Sequence, residues 1–359
     1  MKTSKNINID NSLLDKSFPF KVGVIYSDVK RKYFPTRQQY LTEKEALGEA
    51  QIMAKYLKKL GIEARLFKSD KFLSERLKET KLDMVINLTG SVRGNEYLAS
   101  CIPALLELIE IPYTGSGILG ESLSYNKYLV TKLLQQSGVP VPNSQLFNSH
   151  KDYLNSELRF PLITKLNEIH GGVEITRDSI VESEKEMRNR LKYLIKTYDQ
   201  PVLVQEFIVG KEITAVLFQG RNKKVYLAEK KFLDKSKKYK FVDFSDQWGS
   251  KGIDSFEYSK YSDLLLIEYV KKAFEVCKMQ DYAKFDIRVD LSGRYFFIDS
   301  NSNPAFGPLE TESAIAYILD LYNIPFIEVL KRLLINTIKN WKGDKLLSYS
   351  DKLKNHNTS

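Results

Sequence analysis

The sequence has little cysteine, histidine and tryptophan, and it has no long apolar run. Its 359 residues include two cysteines and three histidines. Cys101 and Cys277 lie in apolar helical patterns without a CxxC partner, which predicts two buried thiols in a reducing cytoplasm. His150, His170 and His356 have no serine or cysteine partner in the sequence, which disfavours a hydrolase. No segment is long enough to cross a bilayer, so we expect no membrane partner.

The net charge of +10 raises the question of nucleic-acid binding. Lysines such as Lys55, Lys58 and Lys59 are scattered over amphipathic helices, where solvated faces are the usual explanation. Only the run from Lys230 to Lys240 is dense enough to form a site. It reads either as a solvated loop or as a loop near nucleotide phosphates. We therefore do not expect nucleic acid as a partner.

The first third of the chain alternates apolar strands with amphipathic helices. The predicted strands cover residues 22–26, 64–67 and 84–88, and the helices run from about 43 to 61, 71 to 79 and 97 to 109. The order βαβαβα predicts a small parallel sheet with helices on both faces. Ligands of such sheets bind beyond the carboxyl ends of the strands. That rule predicts a cleft at Ser27, Asp28, Thr89 and Gly90.

Beyond residue 111 the pattern changes to turns, helices and hairpins. A helix is predicted from about Ser124 to Gly138. Residues 161–166 and 173–176 read as two strands around Gly171-Gly172, a hairpin rather than a phosphate-binding strand–loop–helix. Later elements are predicted at 184–198, 202–207, 213–218, 225–229, 262–279 and 325–341. The expected domains are 18–119, 120–208 and 209–343, with flexible tails at 1–17 and 344–359.

One hairpin near the end of the chain carries four polar residues on one predicted face. Ser292-Gly293 supplies the turn, and its strands alternate polar and apolar side chains. We assume that Leu291 pairs with Arg294 and follow the register from there. The four residues that then share one face are Lys284, Asp286, Asp299 and Asn301, with Asp286 opposite Asp299.

Two opposed carboxylates repel each other, so a cation is expected between Asp286 and Asp299. Mg²⁺ suits carboxylate and amide oxygens and leaves coordination positions for water and phosphate. The alternative is that one aspartate points to water or pairs with Lys284 or Arg288. A slip of one residue would scatter the whole set.

Other polar residues suit a nucleotide. Lys165 lies in a strand, where it would contact phosphates, and the backbone N–H groups of Gly171 and Gly172 would close over them. Glu206 and Glu212 would accept hydrogen bonds from the ribose or the adenine amino group. Each signal is weak alone, because most such residues belong to ordinary strands, turns and solvated surfaces.

Together these segments resemble the D-alanine–D-alanine ligase branch of the ATP-grasp superfamily. The resemblance runs from about residue 20 to 341 and is strongest at 104–117, 126–127, 161–165 and 299–304. It implies an α/β (α+β) ATP-grasp fold, in which a small N-terminal parallel α/β domain precedes two ATP-grasp subdomains. ATP would lie between these two subdomains, with Mg²⁺ (two ions expected, with Mn²⁺ able to replace them).

The sequence and the resemblance together assign the site. The predicted ATP-binding residues are Lys127, Lys165, His170, Gly171, Gly172, Gln205, Glu206, Phe207, Ile208 and Glu212. The predicted metal ligands are Asp286, Asp299 and Asn301. The predicted catalytic residues are Lys284 and, assisting it, Arg288. The predicted substrate residues are Asp28, Arg31, Thr89 and Glu310.

The sequence departs from the family pattern mainly where substrates would bind. Asp299 replaces the usual glutamate, and Lys284 replaces an arginine that has a bidentate fork. Residues 27–32 replace a glycine-rich turn, Thr89 replaces a histidine, and Leu309-Glu310 replaces a Ser-Leu pair. The nucleotide and metal residues match the family, whereas the substrate residues do not.

We therefore predict an ADP-forming carbon–nitrogen ligase that acts through an acyl phosphate on a small-molecule or peptide carboxylate and an amine. Its substrate pair differs from that of the family. The alternatives are a nucleotide-binding protein with lost or altered catalysis and an ATP-grasp ligase for a non-amino-acid carboxylate. A homodimer is one assembly that the sequence permits.

The charges near the predicted cleft suggest what the substrates carry. Arg31 and Lys32 follow the first strand, and Glu310 lies where the family has a neutral carboxylate binder. This arrangement predicts an acidic donor and an amine that bears a positive group. The alternative is that the basic segment is a solvated loop.

Overall fold

The computed structural model describes residues 21–234, 236–248 and 255–346. The predicted N-terminal tail, residues 1–17, lies outside the described residues. The predicted C-terminal tail starts too early, because a helix continues to Leu346, and the rest of that tail is outside the described residues. Among the described helices, none has the length and apolar character needed to span a membrane.

The N-terminal unit is built on a three-stranded parallel sheet with the order β2-β1-β3. Its elements are β1 (Lys21–Ser27), α1 (Arg37–Leu41), α2 (Ala46–Lys59), β2 (Glu63–Ser69), α3 (Leu73–Lys78), β3 (Met84–Leu88) and α4 (Cys101–Leu108). The three- and four-residue spacing of Ala50, Met53 and Leu57 buries one face of α2. Gly61 has φ 76°, and the chain turns there toward β2. The predicted parallel sheet is confirmed.

The central unit contains a four-stranded antiparallel sheet with the order β4-β7-β5-β6. Its elements are α5 (Ile118–Ser124), α6 (Lys127–Gln136), β4 (Ser144–Phe147), β5 (Leu162–Leu166), β6 (Ile180–Val181), α7 (Glu184–Tyr198) and β7 (Val202–Glu206). The Ser183 side chain caps α7 by accepting from the Glu186 N–H. The buried face of α7, with Met187, Leu191 and Leu194, packs on this sheet.

The C-terminal unit contains a five-stranded antiparallel sheet with the order β10-β9-β8-β11-β12. Its elements are β8 (Gly210–Phe218), β9 (Lys224–Phe232), α8 (Phe244–Trp248), β10 (Phe256–Tyr261), α9 (Leu264–Val276), β11 (Tyr282–Asp290), β12 (Tyr295–Asn301), α10 (Ala314–Leu321) and α11 (Phe326–Leu346). β11 lies between β8 and β12, and its apolar side chains Phe285, Ile287 and Val289 are buried in one cluster with residues of α9.

A shared apolar core joins the first and third units. Val22 and Met53 from the N-terminal unit lie in one buried cluster with Ile318, Phe326 and Leu330 from α10 and α11. Burial of this surface fixes the two units against each other. The carboxyl end of β1 is thereby held beside the C-terminal sheet.

Several local predictions were wrong. No strand forms at 173–176, because Gly171, Gly172 and Glu174 all have positive φ and make turns instead. The helix predicted from about Ser124 begins three residues later, at Lys127, since Asn126 has an extended backbone and caps α6. Cys101 is exposed at the start of α4 rather than buried.

The register of the β11–β12 hairpin is confirmed at the polar face. Lys284 pairs with Asn301, and Asp286 pairs with Asp299. Beyond Asp286 the predicted register was wrong, because a bulge shifts Ile287 onto Phe297. The turn also contains one more residue than assumed, since the Asp290 N–H donates to the Arg294 carbonyl.

Candidate active site

A cavity of about 1150 Å³ lies where the three units meet. The predicted residues that line it are Lys127, Lys165, His170, Gly171, Gly172, Gln205, Glu206, Phe207, Ile208, Glu212, Lys284, Asp286, Arg288, Asp299, Asn301 and Glu310. Three predicted substrate residues, Asp28, Arg31 and Thr89, are not among its lining residues. The fold therefore brings the predicted nucleotide, metal and catalytic residues together.

Two lysines from the central unit face this cavity. Lys165 on β5 is buried, and its Nζ donates to the Ile298 carbonyl at 3.0 Å. Lys127 begins α6, and its Nζ donates to the Ile169 carbonyl at 2.5 Å. Burial lowers the pKa of Lys165 to about 8, an effect that Asp299 opposes and Lys127 increases. Two cations this close favour an anionic ligand.

Opposite the lysines, the hairpin places three oxygen donors on one face. The Asn301 Nδ2 donates to Asp299 Oδ2 at 3.1 Å. Asp286 Oδ1 accepts from the Thr214 hydroxyl at 3.0 Å, and its Oδ2 accepts from Lys284. Burial alone would raise the pKa of Asp286, but Lys230 and Lys284 hold it well below its ordinary value. Asp286 is therefore a carboxylate at neutral pH.

These residues fit a magnesium ion only in part. In the part of the chain that the structure describes, no group of three or more His, Cys, Asp or Glu side chains is placed to hold a metal. Asp286, Asp299 and Asn301 offer two carboxylates and one amide, all hard oxygen donors. The remaining positions of an octahedral ion need water or phosphate oxygens, so the set suits a metal that arrives with a nucleotide.

Arg288 was predicted to assist catalysis, but in the structure its side chain contacts protein acceptors. Its side chain is buried, and its guanidinium donates to the Ile208 carbonyl at 3.0 Å, to the Lys240 carbonyl at 2.9 Å and to Glu212 at 2.8 Å. These contacts fix the backbone after β7. Arg288 is thus already engaged by protein acceptors, and its predicted contact with substrate stays a prediction.

Glu212 is held from both sides. Its Oε1 accepts from Lys230 at 2.8 Å, and its Oε2 accepts from Arg288. Burial would raise the pKa of Glu212, but Lys230 and Arg288 lower it below its ordinary value. The carboxylate stays ionised and keeps free lone pairs, so its predicted role as a ribose acceptor remains open.

The last residues of β7 and the two residues after it line the cavity. Gln205 is buried, and in the described part of the chain its Oε1 has no hydrogen-bond partner. Phe207 packs edge-on against Tyr239 and Phe241. Glu206 accepts from the Asn143 side chain at 3.2 Å. A buried acceptor without a partner, in a cavity that Phe207 and Phe241 also line, suits the amino group of a purine.

The glycine loop is held between two other segments. Gly171 and Gly172 have φ 70° and 67°, which favour glycine. The Trp248 Nε1 donates to the Gly171 carbonyl at 2.7 Å. A Cβ on Gly171 would lie 2.5 Å from the Thr42 side chain, which leaves no room for a larger residue. The loop therefore closes the cavity between α8 and the N-terminal unit.

His170 is part of the cavity wall rather than a solvated loop residue. Its Nδ1 lies 2.9 Å from Glu96 Oε2, and its Nε2 lies 3.0 Å from the Ser124 carbonyl. The ring packs edge-on against Tyr125 at 4.9 Å between centroids. Both ring nitrogens have protein partners, so a phosphate contact would require His170 to release one of them.

The four predicted substrate residues have different surroundings in the structure. Asp28 Oδ2 lies 3.4 Å from Lys30 Nζ, and Arg31 donates to the Phe34 carbonyl at 2.6 Å. Thr89 is buried. Glu310 lines the cavity and accepts from the Tyr56 hydroxyl at 3.0 Å. Their roles stay predictions.

Sequence reasoning missed several residues of the cavity. Lys230 was assigned to a basic loop, yet it lies in β9 and bridges Glu212 and Asp286. The signal in the sequence that could have placed Lys230 on a strand was the alternation of side chains across Glu229-Lys230-Lys231. The acidic residues Glu43, Glu49, Glu96 and Glu121 also line the cavity. They come from separate elements, so nothing in the sequence joined them.

Comparison with known proteins identifies the family. A family model described as "D-ala D-ala ligase C-terminus" matches residues 133–320. The D-alanine–D-alanine ligase of Pseudomonas entomophila is 30% identical over 236 residues, which cover 65% of this chain and 70% of that protein. The corresponding ligase of Aquifex aeolicus is 28% identical over 269 residues, or 74% of this chain and 87% of that protein.

Solved structures share the fold. The D-alanine–D-alanine ligase from Bacillus anthracis complexed with ATP has a TM-score of 0.69 at 20% identity, with 90% of this chain and 99% of that chain covered. The ligase from Coxiella burnetii has a TM-score of 0.68 at 15% identity, with 94% and 99% covered. The protein therefore has the ATP-grasp fold and belongs to the D-alanine–D-alanine ligase family of ATP-dependent ligases.

Proposed function

We propose that the protein is an ADP-forming ligase that joins a carboxylate to an amine through an acyl phosphate. The observation that carries this proposal is the arrangement of Lys127 and Lys165 opposite the face of Asp286 and Asp299 in one cavity. Cations on one side and hard oxygen donors on the other suit a metal-bound triphosphate.

In this proposal the nucleotide lies between the central and C-terminal units, taken as residues 120–208 and 209–343, and the N-terminal unit, 18–119, covers it. Lys127 and Lys165 bind phosphates, and the glycine loop closes over them. The base lies against the segment from 205 to 208, where the orphaned Gln205 Oε1 supports contact with an amino group.

The chemistry is divided into two steps. A substrate carboxylate oxygen attacks the γ-phosphorus, the bond between the β–γ bridging oxygen and that phosphorus breaks, and ADP leaves. The amine nitrogen then attacks the acyl carbon, inorganic phosphate leaves, and the nitrogen gives up a proton. Asp286, Asp299 and Asn301 would hold Mg²⁺, expected as two ions and replaceable by Mn²⁺, which neutralises phosphate charge when bound.

Lys284 is the proposed stabiliser of the oxyanion that forms at the acyl carbon. Its Nζ contacts Asp286 and lies at the cavity surface. A lysine carries the charge without the planar fork of an arginine, so it stabilises the oxyanion through one donor at a time.

We further propose that the substrates are not two D-alanines. The sequence departs from the family pattern at residues 27–32, at Thr89 and at Leu309-Glu310, and Glu310 brings a carboxylate to the cavity wall. A carboxylate there repels the carboxylate of an amino-acid substrate.

Release of ADP tests both parts of the proposal. The protein is incubated with MgATP and either D-alanine alone or a panel of carboxylates and amines in pairs. We expect ADP only with particular pairs outside D-alanine. Robust formation of D-alanyl-D-alanine would contradict the substrate part. Absence of ADP with every pair would contradict the ligase proposal and favour the alternative of a nucleotide-binding member of the family with lost catalysis.

A further inference from the structure

Glu174 lies two residues beyond Gly172 of the glycine loop and has a backbone conformation that is unusual for a residue with a side chain. Its φ is 64°, in the left-handed region that favours glycine. A residue keeps such an unfavourable conformation only where the surrounding contacts hold it there. The contacts of Glu174 therefore bear on what this part of the loop does.

The Glu174 carboxylate accepts three hydrogen bonds from α7. Arg190 donates to its Oε2 at 2.9 Å, and the hydroxyls of Tyr193 and Tyr198 donate to its Oε1 at 3.2 and 2.8 Å. Arg190 also donates to the Glu174 carbonyl at 2.8 Å. The side chains of Arg190 and Glu174 are only 11% and 9% exposed. A shielded, charge-assisted pair of this kind holds the loop firmly against α7.

The backbone of the same residue contacts the N-terminal unit. The Glu174 N–H donates to Gln38 Oε1 on α1 at 2.8 Å. At the other end of the loop, the His170 N–H donates to Glu96 Oε2 at 2.8 Å. The glycine loop thus lies between α7 and two segments of the N-terminal unit, and polar contacts fix both of its ends.

These contacts matter for a loop that binds phosphate through backbone N–H groups. Two glycines make the free loop flexible, so ordering it around a ligand costs conformational entropy. Affinity falls in proportion to the fraction of molecules in which the loop is out of place. Glu174 is not among the residues that line the cavity, whereas Gly171 and Gly172 are. Any effect of Glu174 on a ligand is therefore exerted through the loop.

We propose that Glu174 is a positioning residue, which holds the glycine loop between α7 and α1 so that the loop N–H groups are in place for nucleotide phosphates. This inference rests on the nucleotide site of the proposed function. It requires that Glu174 strengthen the binding of a ligand with phosphates and leave the binding of the base and ribose unchanged.

MgATP and adenosine test this requirement, because adenosine has the base and the ribose but no phosphate. Isothermal titration measures Kd for each ligand. Glu174→Gly retains a left-handed backbone and removes the carboxylate. We expect it to raise Kd for MgATP about tenfold and to leave Kd for adenosine within about twofold. Glu168→Gly, which alters an exposed acid of the same loop, is the matched control and should leave both constants within about twofold.

Two further variants keep the test independent of folding. Glu174→Gly leaves the buried Arg190 guanidinium without its carboxylate, which lowers stability. Glu174→Gly combined with Arg190→Met removes both charges and should show the same selective loss. Gln38→Ala leaves the ion pair intact and removes the acceptor of the Glu174 N–H. It should raise Kd for MgATP about threefold and leave Kd for adenosine unchanged.

The outcomes separate this inference from the proposed function. Loss of affinity for MgATP alone supports the positioning role, even if no substrate pair releases ADP. Equal loss for both ligands would show that Glu174 only stabilises the fold, and unchanged Kd values for MgATP would show that the loop needs no anchor. Either result would overturn the inference and leave the ligase proposal intact. A wild-type protein that binds no MgATP would overturn both.

Discussion

Asp286 and Asp299 lie directly opposite each other on β11 and β12, and the strand register shifts immediately after Asp286. The bulge turns the rest of β11 without disturbing this pair. Both carboxylates therefore line the cavity, and Lys230 and Lys284 offset the charge of Asp286. Such a pair is unfavourable unless cations stay close to it.

Asp286→Asn should abolish turnover and leave the fold intact. The substitution removes one negative charge from the proposed metal site, whereas Lys230 keeps its ion pair with Glu212. The measurement is ADP release, with circular dichroism as the check on folding. Asp290→Asn, on the same strand at the hairpin turn, is the control and should stay within about twofold of wild type. Normal turnover by Asp286→Asn would show that the site is assigned wrongly.

Lys165→Ala should weaken ATP binding. A charge-assisted phosphate contact contributes about 1.5–3 kcal/mol, which corresponds to roughly 10- to 100-fold in Kd. Isothermal titration with MgATP measures the change. Lys151→Ala removes an exposed lysine of the central unit and should leave Kd unaltered. A Kd for Lys165→Ala equal to the wild-type value would remove Lys165 from the nucleotide site.

Trp248 should report closure of the glycine loop. Its Nε1 donates to the Gly171 carbonyl, so a nucleotide that contacts the loop changes the environment of the indole. We expect MgATP to change tryptophan fluorescence in the wild type and in Trp341→Phe. The change should be absent in Trp248→Phe, whose Kd for ATP should rise a few-fold. Persistence of the signal in Trp248→Phe would place the reporter elsewhere.

Glu43→Gln should stabilise the protein above neutral pH. Burial raises the pKa of Glu43 from an ordinary 4.5 to about 7, so the folded state binds this proton more tightly than the unfolded state. Stability contributed by this group therefore falls as the pH rises from 4.5 to 7. At pH 8 the variant should have a Tm higher by about 1–3 °C, and near pH 4.5 the two should agree. A lower Tm for the variant at pH 8 would contradict this account of Glu43.

The alternation of side chains along each strand was enough to predict which polar residues share one face of the hairpin. Lys284 and Asp286 face Asn301 and Asp299 because side chains alternate with period two, and this holds over the few residues next to the site. The bulge after Asp286 could not be predicted, because the alternation within each strand does not show where the pairing of the two strands shifts. The prediction of a strand at 173–176 was also wrong. Its apolar residues have the pattern of a strand, but the preceding glycines determine the backbone conformation there.

Most acidic residues of the cavity had no sequence signal. Glu43 and Glu96 are separated by a long stretch of chain, and each alone resembles a solvated surface residue, whereas Glu310 was predicted from its place in the family pattern. The packing of the N-terminal sheet on α10 and α11 brings them to one cavity. The residues predicted to bind nucleotide belong to local motifs, whereas the acidic residues of the cavity come from separate elements, which is why the second set was harder to predict.

Trapping the acyl phosphate with hydroxylamine tests the central claim most directly. The protein is incubated with MgATP, hydroxylamine and single carboxylates, with no other amine. We predict that a carboxylate substrate gives hydroxamate and ADP in equal amounts, and that Asp286→Asn gives neither. ADP formed without hydroxamate, or no ADP with any carboxylate, would contradict a ligase that acts through an acyl phosphate.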